Sequence, residues 1–136
     1  MDQVFARWQP LALSLFRFIT GLLLFQYGVA KIFKYPAVPY FAKVELFSLI
    51  GAAGALELIL GAMLMLGLFT RPVAFILAGE MAFAYFLGHV FKADAPVWLP
   101  LLNNGTSAIL FCFSCLYLAT AGGGPISLDR AISRTR

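Results

Sequence analysis

Glu57 is the residue whose type and place in this chain most invite chemistry. It stands near the middle of Gly51–Pro72 (GAAGALELILGAMLMLGLFTRP), a run that is otherwise almost wholly apolar and ends in Thr-Arg-Pro. At about 1.5 Å per residue, such a run is long enough to cross a bilayer core. At helical spacing Gly54, Glu57 and Gly61 share a side, so the acid occupies a face that a second helix can approach closely. An ionisable group at that depth costs about 2.5–3.5 kcal/mol or more unless it is paired, and marks a functional site by default.

Two further charged residues lie inside apolar runs: Arg17 in the first and Glu80 in the third. Counted inward from Leu11 and Val73, both fall at similar depth, about 10 Å in by helical rise, with Glu57 deeper. An arginine side chain can meet Glu80 laterally or reach toward Glu57. Two acids sharing one arginine leave an excess negative charge that a proton would relieve. The expected site is therefore Arg17, Glu57 and Glu80, with Glu57 as proton carrier, Arg17 as hydrogen-bond donor and Glu80 positioning Arg17. The competing reading is a structural ion pair that fixes helix register.

His89 stands toward the end of the third run, on the side opposite Glu80. It would be an interfacial histidine or a ring contact; haem or a metal would need further ligands, and none stands near it in sequence. Cys112-Phe113-Ser114-Cys115 has the spacing of a redox pair. Its thiols fall inside an apolar helix on a face continued by Ala108 and Ala119, which favours helix packing over redox work.

The elements that must position these residues follow from composition. Of 136 residues 62% are hydrophobic and 12% charged, whereas soluble domains carry about a quarter charged. An integral membrane protein of one domain, residues 1–136, is expected. The ten basic and six acidic residues are scattered, which leaves no nucleic-acid footprint. Two cysteines are too few for a disulfide framework.

Four spans are read, about 11–33, 46–69, 73–91 and 106–121. The first is too long for a signal-peptide core and is retained; on it Arg17, Thr20, Gly21, Leu24, Gly28 and Lys31 share a face, with Gln26 opposite. A proline- and aromatic-rich loop, Lys34 to Glu45, follows at the interface. Thr70-Arg71-Pro72 is read as a tight connection that sets the third span antiparallel beside the second. Asn103-Asn104-Gly105 opens the fourth span, with asparagine as a favoured N-cap, and Gly122–Pro125 ends it. The tail to Arg136 is polar and basic.

The predicted fold is thus all-α, an antiparallel four-helix membrane bundle. Four spans place both termini on one side with Arg7, Arg71, Arg130, Arg134 and Arg136, against Lys31, Lys34, Lys43 and Lys92. That slight bias puts the termini in the cytoplasm.

Arg17, Gly28 and Lys31, then Glu57, Gly61 and Gly67, then the Arg71 turn and the ending Gly124-Pro125-Ile126-Ser127-Leu128-Asp129 together resemble the DoxX family of small bacterial membrane proteins. The resemblance implies a four-helix protein of the bacterial inner membrane, associated with redox partners and similar to the quinone-linked membrane subunit of thiosulfate oxidation. Three function classes follow. The first is a redox-linked subunit, part of a quinone-linked oxidoreductase, that binds quinone or a similar lipid-soluble ring at Arg17 and Glu57, with His89 as an outlying contact. The second is a non-catalytic anchor or scaffold for redox enzymes. The third, a transporter, would require a homo-oligomer. Membrane lipids and a redox-enzyme partner are expected; haem, metal and nucleic acid are not.

Overall fold

A computed structural model describes residues 2–135, which form helices joined by loops with no strand among them. In chain order the helices are α1 (Asp2–Ala6), α2 (Gln9–Phe33), α3 (Leu49–Leu66), α4 (Thr70–Tyr85, continued by a π-helical turn Phe86–Val90), α5 (Pro100–Asn103), α6 (Thr106–Ala121) and α7 (Leu128–Arg134). A 3₁₀ turn, Pro39–Phe41, sits in the first long loop. Among the described residues three helices are long and apolar enough to cross a membrane: Gln9–Phe33, Leu49–Leu66 and Thr70–Val90. Thr106–Ala121 is apolar but has 16 residues, about 24 Å by rise against a hydrocarbon core of about 30 Å. Large apolar side chains such as Phe75, Phe83 and Phe113 stand outward, as lipid-facing positions should.

The helix ends follow from local chemistry. Pro10 needs no N–H in the first turn of α2. Ser48 caps α3, its hydroxyl accepting from Gly51 N at 3.0 Å. Gly67, at φ +69°, ends α3: its N–H bonds to Leu64 O and Leu68 N to Met63 O, the paired closure that a left-handed residue permits. Thr70-Arg71-Pro72 is therefore the first turn of α4, and the connection is residues 67–69. Pro72 is tolerated there because early helical N–H groups have no intrahelical partner.

Packing pairs the helices as α2 with α3 and α4 with α6; α3 touches α4 less, despite the short connection. Glycine sets the α2–α3 approach. A Cβ on Gly61 would stand 2.7 Å from Phe25 N, and one on Gly21 would stand 2.6 Å from Met65 N. The buried face of α2 includes Ser14, Arg17, Thr20, Gly21, Leu24 and Gly28, close to the expected stripe, and Gln26 is exposed. The apolar core gathers Leu24, Leu64, Leu77, Met81, Cys115 and Leu118.

Two local expectations are corrected. Asn103 does not cap α6: Gly105 holds that place, Asn104 turns left-handed at φ +59°, and Asn103 Oδ1 accepts from Gly105 N at 2.7 Å. An asparagine side chain can close a turn on the backbone two residues ahead as readily as it can cap a helix. The tail is not simply a polar extension either, since Ser127 caps α7 by accepting from Arg130 N. Arg136, counted above for orientation, lies outside the described residues.

Candidate functional site

Close approach of α2 and α3 places Lys31 over Gly54, where an added Cβ would stand 2.7 Å from Lys31 Cβ. Long helical side chains lean toward the N-terminus of their helix. The Lys31 stem therefore runs inward along α3, and Nζ reaches Glu57, donating to Oε1 at 2.7 Å and Oε2 at 2.6 Å. The two side chains are 11% and 3% exposed. Aromatic rings close over the ammonium: Phe41 at 5.5 Å and Tyr27 at 5.9 Å to their centroids, a favourable place for a cation. Tyr27 in turn meets Phe41 and Phe111 edge-on, at 6.3 and 6.2 Å. A row of rings from α2, the loop and α6 thus flanks the ion pair.

Glu80 comes from α4 on the other helix pair. Its carboxylate lies within electrostatic reach of Glu57 and Lys31, and of Cys115. Both of its oxygens are buried and have no hydrogen-bond partner among the described residues. The interior therefore holds two carboxylates and one ammonium, with the ammonium committed to Glu57. A buried carboxyl oxygen without a partner is costly, so a proton or a donor from a bound molecule has a place to go at Glu80.

Arg17 is not part of this group, which corrects the expected Arg17–Glu57–Glu80 cluster. Among the described residues its guanidinium donates only to backbone carbonyls: Nε to Gly123 at 2.9 Å, Nη1 to Leu64 at 2.6 Å and to Met65, and Nη2 to Ile126 at 2.6 Å. Equal residue counts from two helix starts do not mean equal depth, because α2 overhangs α4 at the end carrying both termini. Arg17 is level with the last turn of α3, whose carbonyls keep acceptor capacity beyond the Gly67 cap, while Lys31 lies about 21 Å farther along α2. Five forked donors suit a cluster of carbonyls. Gly67 makes room, since a Cβ there would stand 2.9 Å from the guanidinium carbon.

His89 is likewise placed apart. It sits in the π-helical turn with Nδ1 3.0 Å from Asn103 O, joining α4 to α5. No group of three His, Cys, Asp or Glu among the described residues is arranged to hold a metal ion. Cys115 is fully buried in the core, Cys112 is half-buried beside it, and both are free thiols, so the small-residue face does pack.

Lys31 is the site residue that sequence reasoning left out of the cluster, although it was read on the buried face of α2. Its spacing of three from Gly28 was the available signal. The second long-range device, Asp129, had no such signal: its carboxylate accepts from Phe69 N at 2.7 Å and Thr70 N at 2.8 Å, capping α4 from a position some sixty residues away.

Residues 12–90 match the family model described as DoxX, a stretch containing Arg17, Lys31, Glu57, Glu80 and His89. An uncharacterized protein of Haemophilus influenzae is 32% identical over 124 residues, covering 90% of this chain and 92% of its own. No solved structure matches.

Proposed function

The chain belongs to the DoxX family, and we propose that it is a redox-linked subunit of the bacterial plasma membrane in which Lys31, Glu57 and Glu80 serve a quinone or similar lipid-soluble ring. The observation that carries this reading is Glu80, a carboxyl whose two oxygens are buried and have no partner among the described residues, within electrostatic reach of a complete Lys–Glu pair. The residues fit such a ligand: an ammonium can donate to a ring carbonyl, a carboxyl can hold a proton, and Tyr27, Phe41 and Phe111 offer ring faces and edges. A quinone would supply two-electron, two-proton redox chemistry, with the electrons coming from a partner redox enzyme. This chain's part is to place Lys31 as donor, to orient it through Glu57, and to move a proton at the Glu80 carboxyl. Arg17, bound to four carbonyls, has no part in that transfer and holds the end of the bundle together instead.

In this reading α6 crosses as a fourth span, lengthened by Gly105 and α5, and both termini lie in the cytoplasm. The test is mass spectrometry of small molecules extracted from the purified protein in nanodiscs. The wild type is expected to carry a lipid-soluble quinone, and Glu80→Gln and Lys31→Met to lose it while circular dichroism shows the helices retained. A wild-type protein without any such ring, but with a redox enzyme held in the same preparation, would leave the anchor reading in its place.

A further inference from the structure

A second place in the molecule is built for a ligand, remote from the Lys31–Glu57–Glu80 group and independent of its reading. At the end that carries both termini, a cleft of about 720 Å³ opens between the start of α2, the start of α4 and the segment from Gly122 to α7. Arg71 and Arg130 line it. Nη1 of Arg71 donates to the Ala119 and Thr120 carbonyls, which fixes the side chain and leaves the rest of its donor fork available. Asp129 also lines the cleft, but its two oxygens are taken by the Phe69 and Thr70 amides. Its charge lies against the N-terminus of α4, and two arginines against this one carboxylate leave the lining net positive.

The independent sign of a ligand is Thr70. It is 1% exposed, it lines the cleft, and its hydroxyl has no hydrogen-bond partner among the described residues. The hydroxyl packs against Gly123, where a Cβ would stand 2.8 Å from it and 2.9 Å from Ser127 Cβ, so only glycine fits beside this unpartnered group. Around this end the surface is of interfacial type: Trp8 carries the Arg7 guanidinium at 5.5 Å, and Phe5, Ile126 and Ile132 are exposed. Such residues sit at headgroup level.

We propose that this cleft binds a phosphate group, that of an anionic phospholipid or of a small phosphate ester, between Arg71, Arg130 and the Thr70 hydroxyl. Phosphate matches the site because it offers several acceptor oxygens to forked guanidinium donors and can accept from a hydroxyl at the same time.

The test uses the full chain, delipidated in detergent and titrated by native mass spectrometry with dioctanoyl phosphatidylglycerol, dioctanoyl phosphatidylcholine and glycerol phosphate. Phosphatidylglycerol is expected to bind more tightly than phosphatidylcholine. Arg130→Gln should weaken it about fivefold, and Thr70→Val about tenfold. Thr70→Ser keeps the donor and should keep the affinity, which separates loss of the hydroxyl from loss of the fold. Competition by glycerol phosphate identifies a small ester as the source of the phosphate; its failure to compete identifies the lipid headgroup. Equal affinity for the zwitterionic lipid, or unchanged affinity in both Arg130→Gln and Thr70→Val, overturns the proposal.

Discussion

Lys31 and Arg17 leave the same face of α2 and meet opposite fates because their donors differ. An ammonium is a compact point charge that two carboxylate oxygens can satisfy, and Glu57 supplies both. A guanidinium spreads five N–H groups over a plane, and at the end of α3 it finds four carbonyls instead of an acid. Removing one partner of a buried pair strands the other charge, at a cost of about 3–5 kcal/mol, whereas replacing both can be neutral. Lys31→Met is therefore expected to destabilise the protein by about that amount, and Lys31→Met with Glu57→Leu to recover most of it. Unfolding by steric trapping in bicelles measures both. A single variant as stable as the wild type would show that Lys31 and Glu57 are not coupled. Recovered stability without recovered quinone retention is the outcome expected of a pair that works as well as holds.

Glycine contact makes α2 and α3 one unit, and that unit carries the ion pair. Neither helix has a large driving force to associate in lipid, where apolar surface is no better buried than exposed, so close backbone approach supplies it. Gly61→Ala would set a methyl 2.7 Å from Phe25 N, and neither backbone can yield without parting the helices. It is expected to lower the unfolding midpoint and to lengthen the reach from Lys31 to Glu57. Gly79→Ala, in a position with nothing within 4 Å of the added carbon, should leave the midpoint unchanged or slightly raised. The thermal midpoints of the two variants in the same detergent compare the two directly.

At the scale of the whole molecule, both termini, the Arg17 knot and the phosphate-type cleft lie at one end, and the loop carrying Phe41 lies at the other. Tyr40 and Lys92 join the two long loops at that far end, Nζ donating to the phenol oxygen at 3.1 Å. Arg71 and Arg130 are expected to face the cytoplasm and Lys43 and Lys92 the outside. Single cysteines introduced at these positions in a Cys112→Ala, Cys115→Ala background, labelled from each side of the membrane, check the orientation. Labelling of position 130 from the periplasm would invert it, and the proposed exposure of the cleft to cytoplasmic phosphate esters with it.

Sequence alone determined the helical class, the places of the long apolar helices and the inward stripe of α2 with its glycines, because each depends on composition and period within one segment. Glu57 and Glu80 were legible for the same reason: a charge inside an apolar run must face something. Which partner each charge meets was decided only by the tertiary structure. Pairing depends on the axial offset between helices, which sets Arg17 against the end of α3 and Lys31 against Glu57. The caps supplied across the chain by Asp129, and the packing of Gly123 against Thr70, depend on contacts between distant segments, for which local periodicity carries no signal.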